Sequence, residues 1–453
     1  MKKMQKRGEK WIGGLAVLFV AFVTLAPAAT ADQGAPGAGG GGEGKLTRAI
    51  NKIKNPFSGS GLGDLFGDQS AADVGHKPRI RPHFAFVQGF NSNARLGNRQ
   101  VDEAWQARMA PGITLSIPSG KLYTEVDYTY AFTTTQGRRT HDNTNTHNLN
   151  AIARYDLSAD TTVGVGNNFQ ISDVPGTSGD TFTLNTTTAQ VRHRLSPKLN
   201  ASLGDAVQWF NDSGTSRQHD FIDNGVSAGL TYDATSDLSV GPTFAWNVRD
   251  FRHISEKNYW QIQPGIGASY RLGPKTTLGG NFGWAYRRFE KGSNNESELV
   301  YGVTASHMLG RKFIWSLAYA KTLTDTFDTG FVFRELPQAV ALDNLDRDFR
   351  VLKSHRIGTA ATYNFNERNS LGAFGDFQFI NADAKDRVGG AGGAQDEKAM
   401  EVGARYTYRL NRYLSLDVAY SFGRRFDGQG NPQEGRADRY TFHKVTGGVN
   451  IAV

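Results

Sequence analysis

The chain has 453 residues, 38% of them hydrophobic, with 53 glycines, no cysteine and a formal net charge of +8 at pH 7. Without a thiol there is no disulfide framework, no thiolate metal site, no thioether-linked haem and no lipid on an N-terminal cysteine. The low apolar content and a mean hydropathy of −0.46 argue against membrane-spanning helices in the mature part and against a long soluble sandwich with two apolar sheet faces.

In chain order, the first segment reads as a secretory signal peptide over residues 1–31. Lys2, Lys3, Lys6, Arg7 and Lys10 form a basic start, Trp11 to Leu25 an apolar core, and Ala29-Thr30-Ala31 a small-residue cleavage site before Asp32. Residues 32–78 then read as a flexible, glycine-rich periplasmic segment. Within it, KLTRAINKIKNPF over 45–57 places Leu46, Ile50 and Ile53 on one helical face, with Arg48, Lys52 and Lys54 on others. That spacing fits a short interfacial helix, a plug, a docking peptide or an unstructured tail.

From residue 79 to 453 the pattern changes to alternating apolar and polar residues, broken by a recurring phrase. The copies are YDLSADTT at Tyr155, HRLSPKLN at His193, YDATSDLS at Tyr232, YRLGPKTT at Tyr270, HMLGRKFI at His307, YNFNERNS at Tyr363 and YRLNRYLS at Tyr408. Most copies lie about 40 residues apart, the length of a strand pair with one tight turn and one longer loop. Short turns are predicted near residues 118, 158, 196, 234, 273, 310, 366 and 411. Longer loops are predicted at 92–103, 135–146, 173–181, 211–221, 250–257, 290–297, 325–353, 383–397 and 426–438. Their interleaving predicts an all-β fold: a single transmembrane antiparallel up-and-down β-barrel of about 18 strands, of outer-membrane type, with both termini periplasmic.

The alternation also assigns faces. In the strand from Lys121, Leu122, Val126, Tyr128, Tyr130 and Phe132 face lipid, whereas Tyr123, Glu125, Asp127 and Thr129 face the lumen. Tyr155, Tyr232, Tyr270 and Tyr408, just before short turns, fit an interfacial aromatic girdle. About 18 strands enclose more space than side chains fill, so an aqueous lumen is expected unless something plugs it. Candidate residues along that path are Arg108, Arg154, Arg192, Arg249, Arg271, Arg287, Arg405, Arg409, Glu125 and Asp127. Arg194, Arg356 and Arg425 share the inward phase, as do Asp156, Asp233, Glu298, Asp376, Glu401 and Asp417. Opposite charges on neighbouring strands stiffen a sheet without selecting anything, but the arginine excess leans the lumen toward anions.

The long loop from Asp325 to Lys353 is the gating candidate, through Asp325, Phe331, Arg334, Asp346 and Arg350. At the C-terminus, Thr446, Gly448, Ile451 and Val453 fit the last strand of a barrel inserted by the outer-membrane assembly machinery. No G-x-S-x-G, His-Glu-x-x-His or P-loop sequence occurs, so neither an enzyme, a metal site nor a cofactor is expected. Nucleic acid is not an expected partner.

The hairpins RIRPHFAFVQGFNSNARL from Arg79, APGITLSIPSGKLYTEVDYTYAF from Ala110 and HNLNAIARYDLSADTTVGVGNNFQISD from His147 resemble the outer-membrane β-barrel porin family associated with exopolysaccharide synthesis and export. That resemblance implies a passive outer-membrane conduit for exopolysaccharide, with outer-membrane lipids, the polysaccharide and a periplasmic export machinery as partners. Two other readings use the same parts: a general or substrate-specific porin for small solutes, and a structural or adhesive barrel with a plugged lumen.

Overall fold

The computed structural model describes residues 78–92, 103–138, 141–173, 180–213, 220–253, 255–291, 295–310, 312–324, 352–382, 395–427 and 440–452. The expectations for the signal peptide, the 32–77 segment and the loop residues Asp325, Phe331, Arg334, Asp346 and Arg350 lie outside these residues.

The described residues form eighteen antiparallel strands. They are β1 (Arg79–Asn91), β2 (Ala104–Ser119), β3 (Leu122–Gly137), β4 (His141–Asp156), β5 (Thr161–Asp173) and β6 (Thr181–Ser196). These are followed by β7 (Leu199–Asp212), β8 (Phe221–Asp233), β9 (Leu238–Phe251), β10 (Tyr259–Arg271), β11 (Thr276–Phe289) and β12 (Glu296–Leu309). The last six are β13 (Phe313–Thr324), β14 (Leu352–Asn364), β15 (Asn369–Ala382), β16 (Gln395–Arg409), β17 (Leu414–Asp427) and β18 (Tyr440–Ala452). Each strand pairs with its sequence neighbours, and β1 pairs with β18 from His83↔Ala452 to Asn91↔Lys444. The sheet therefore closes into a barrel with no free edge, the form in which strands satisfy their backbone groups in lipid.

Two local devices make the eight short connections, which span two to four residues each. In one, a side-chain oxygen accepts from backbone N–H groups two and three residues on. Asn366 Oδ1 accepts from Arg368 (2.8 Å) and Asn369 (2.9 Å), and Asn411 Oδ1 from Tyr413 (2.8 Å) and Leu414 (2.9 Å). Thr235 Oγ1 does the same for Asp237 and Leu238. In the other device glycine takes a left-handed conformation, as at Gly273 (φ 72°) and Gly310 (φ 68°). The recurring phrase is the sequence record of these two turns.

The strands are longer than expected between β3 and β4. A loop over 135–146 was predicted from its Thr, Gln, Asn and His content, but the connection occupies only 138–140. The polar residues pair across the ladder instead. Thr146 Oγ1 and Ser172 Oγ share a hydrogen bond of 2.8 Å, and Tyr130 Oη donates to Asn145 Oδ1 at 2.6 Å.

Residues directly opposite in the ladder share a face, so the registers propagate one inside–outside assignment around the barrel. Large apolar side chains lie exposed on the outside, among them Ile113, Phe244, Ile266, Phe282, Val303 and Val418. With no water-filled face of that composition expected of a soluble protein, this surface meets the hydrocarbon of a membrane. Tyr232 and Tyr270 are exposed on the same face beside short turns, at the level of an interfacial girdle.

Candidate functional site: the inner wall of the barrel

The registers put Arg108, Arg154, Arg192, Arg249, Arg271, Arg287, Arg405, Arg409, Glu125 and Asp127 on the inward face. Their surroundings differ between the two ends.

Toward the short turns, five acids sit half-buried in the wall while most arginines are more exposed than they are, Arg154 being half-buried beside Asp156 and Arg194 3.9 Å from the exposed Asp160. Each of the five acids accepts a hydrogen bond from a hydroxyl directly opposite on the strand across its own hairpin. Ser116 Oγ donates to Glu125 (3.0 Å), Thr114 Oγ1 to Asp127 (2.6 Å) and Thr162 Oγ1 to Asp156 (3.0 Å). Ser239 Oγ donates to Asp233 (2.6 Å) and Thr407 Oγ1 to Asp417 (2.5 Å). Glu125 also takes Tyr123 Oη at 2.7 Å and the Arg81 guanidinium at 3.1 Å, while Asp127 lies 3.0 Å from His83 Nε2. The acids are half-buried, whereas Arg81, Arg192, Arg194, Arg271, Arg405 and Arg409 are exposed on the inner face. A short hydroxyl donor holds a carboxylate against the sheet. The longer arginine stem carries its charge into the lumen. Arg108 and Arg271 have no acidic partner within ion-pair distance among the described residues.

Toward the longer connections, charge is buried. Arg249 Nε donates to Asp223 at 2.7 Å and a second guanidinium nitrogen lies 2.5 Å from the same carboxylate, with both side chains 1% exposed. Asn247 Nδ2 donates to the other oxygen at 2.5 Å. The Tyr259 ring stands between two guanidiniums, 5.9 Å from Arg249 and 4.0 Å from Arg287. Arg287, 2% exposed, donates to Gln261 Oε1 at 2.9 Å. A row of inward rings runs beside them: Phe182, Phe210, Phe221 and Phe251, with successive centroids 6.0, 5.5 and 5.7 Å apart. The Arg249 guanidinium lies 4.7 Å over Phe221. These contacts make Arg249 and Arg287 part of the wall.

Between the two ends, Arg356 grips Asp376 through Nε at 2.9 and 3.0 Å and a terminal nitrogen at 2.5 Å. Near the long-connection end, Lys321, in the outward phase of β13, donates from Nζ to Glu298 at 2.6 Å. Asn168 Nδ2 donates to Asn148 (3.1 Å) and Asn150 (2.5 Å), so part of the wall is an amide cluster. A cavity of about 1000 Å³ lies along β6 to β15, lined by Gln190, Arg192, Gln261, Thr304, Arg356 and Asp376 among others.

Sequence reasoning missed the hydroxyl opposite each acid, together with Asp223, Tyr259 and His83. The hydroxyls had a usable signal, because a two- to four-residue turn fixes the hairpin register and hence the residue facing each acid. Asp223 and Arg249 had none of that kind, since β8 and β9 meet there at the far end from their turn.

No family model matches the chain, and no curated protein matches it. Among solved structures it is similar to Pseudomonas aeruginosa OccK5 (OpdH), at 11% identity over 83% of this chain and 98% of that chain, with a TM-score of 0.45. It is also similar to Pseudomonas aeruginosa OccK7 (OpdD), at 14% identity, 83% and 99% coverage and a TM-score of 0.44. Acinetobacter baumannii OccAB4 gives 11%, 83%, 98% and 0.45. At that distance the likeness carries no inference about solutes, and the architecture rests on the barrel's own registers.

Proposed function

We propose that the protein is a passive, water-filled channel of a Gram-negative outer membrane for small hydrophilic solutes, with a preference for anions. The observation that carries this reading is the unequal placement of charge at the short-turn end. Acids there are held against the wall by hydroxyl donors, while Arg192, Arg194, Arg271, Arg405 and Arg409 are exposed on the inner face. A cleft lined by one sign of charge raises the local concentration of the opposite ion. Short turns of such barrels face the periplasm, so on this reading the basic mouth and both chain ends are periplasmic. Arg108, Arg192, Arg271, Arg405 and Arg409, with Glu125 and Asp127, line the path. Arg154, Arg249 and Arg287 brace it.

The open space along β6 to β15, lined by Gln190, Arg192, Gln261, Thr304 and Arg356 among others, suits hydrophilic solutes. The resemblance of the first hairpins favours a conduit for an acidic or hydroxyl-rich polymer, moving by weak repeated contacts.

The test is reversal potential in planar bilayers under a potassium chloride gradient. Steady conductance with chloride preferred is expected, falling toward no preference in the R271Q/R405Q/R409Q variant. Absence of conductance, or selectivity for potassium, overturns the reading. Block by long anionic oligosaccharides without block by their monosaccharides would move the assignment to polymer.

A further inference from the structure

Among the described residues, one carboxylate stands near mid-strand on the outer face. On β7 the outward residues run Leu203, Asp205, Val207 and Trp209, and Asp205 is the seventh of fourteen residues in its strand. Asn167 is the seventh of thirteen in β5, with Thr187 of β6 directly opposite. Six residues at about 3.3 Å each and a tilt of about 40° place Asp205 about 15 Å above the short-turn end, near the middle of an apolar band about 25 Å tall. Asn167 Nδ2 donates to Asn185 Oδ1 (2.7 Å) and Thr187 Oγ1 (2.9 Å), and Asn224 of β8 lies beside Val207.

Hydrocarbon offers these groups nothing. The barrel itself supplies no hydrogen-bond partner to Asp205 Oδ1, which is buried. Elsewhere around the barrel, outward residues at a similar distance from the short turns are Ile266, Phe282, Val303, Leu317 and Val402, all exposed and apolar. Four outward residues beside the polar cluster are small, Ala151, Ala153, Ala189 and Ala228, among the larger Leu203, Val207, Trp209 and Val226.

We propose that the outer face of β5 to β8 is where a second copy of this chain docks, wall to wall within the membrane. Carboxylate and amide groups on one patch hold acceptors and donors together, so the patch is complementary to itself under a two-fold rotation. Asn167 uses both of its amide hydrogens on Asn185 and Thr187 and so orients the Asn185 amide. A second copy brings the Nδ2 groups of Asn185 and Asn224 toward Asp205 of the first, where a turn of the carboxylate about its last torsion presents either oxygen. Alanines let the two backbones approach, as small residues do at contacts between membrane segments. An intramembrane acid paired this way is no longer set against lipid.

The cysteine-free chain allows a direct test. Leu203→Cys (native residue 55% exposed) and Phe282→Cys (54%) place one thiol on the patch and one about a quarter-turn away on β11. Each is reconstituted at low density in phosphatidylethanolamine–phosphatidylglycerol vesicles and treated with a short bismaleimide. A cross-linked dimer is expected from L203C and not from F282C, and D205V with N167V added to L203C should abolish it. Equal yields from both sites, or a yield unchanged by D205V/N167V, overturns the proposal. Barrel integrity is read from the faster migration of unheated samples, and Trp209→Cys replaces L203C if that variant does not fold.

Discussion

At the scale of single residues, the inner wall uses carboxylates in two ways that their sequence neighbours do not distinguish. Asp417, opposite Thr407, is a half-buried acceptor near the lumen, whereas Asp223 is enclosed with Arg249 at 1% exposure each. Removing one member of an enclosed ion pair leaves the other charge without compensation. Asp223→Ala is therefore expected to destabilise the barrel by about 3–5 kcal/mol, and the D223L/R249M double variant by much less. Urea unfolding in lipid vesicles measures both. Backbone proximity makes a second contrast. A Cβ on Gly241 would lie 1.8 Å from the Leu230 carbonyl oxygen, while one on Gly447 meets nothing within 4 Å. Gly241→Ala should cost about 1–3 kcal/mol in the same assay, and Gly447→Ala close to nothing. Neither pair of outcomes is legible from residue type. Both depend on what the neighbouring strand brings opposite.

At the scale of the strand and hairpin, much of the fold is readable in advance because the two faces of each strand meet different solvents. Lipid outside and water inside enforce a period of two, and a tight turn then fixes the register. That is why seven of the eight short turns fall where the phrase predicts them, and why β10 alternates Trp260, Ile262 and Ile266 against Gln261, Gln263 and Arg271. Single cysteines on this strand should therefore react with a water-soluble maleimide at Gln263 and resist it at Ile266. Reaction at both, or at neither, contradicts the assignment of faces. Polarity misleads where it has a use other than solvation. Threonines and asparagines at 135–137 and 141–146 look like a loop by composition, yet they extend β3 and β4 through cross-strand hydrogen bonds. Asp205 falls in the apolar phase of β7, so a period-of-two reading passes over it as one lapse among many.

At the scale of the whole molecule, charge acts as a field more than as pairs. The exposed arginines of the inner face are spread over β1, β2, β6, β10, β14 and β16, too far apart to chelate one ion. Their effect should then be screened: anion preference is expected to weaken steadily between 0.1 and 1 M salt, as the Debye length falls from about 10 Å to about 3 Å. A preference that survives 1 M salt would indicate a tight binding site instead.

Closure of the ring has a last consequence. The pairing of β1 with β18 joins residues as remote in the chain as Ser92 and His443, whose backbone groups meet at 2.9 Å, and it has the same antiparallel form as the other seventeen seams. The position of the first strand is thus an accident of gene order, with no counterpart in the geometry of the wall. A circular permutant that links Ala452 to Arg79 and starts at the Asn366 turn should assemble the same barrel. Its closing seam, β14 against β15, joins the two ends of an equally long chain, so loop-closure entropy alone predicts a similar assembly rate.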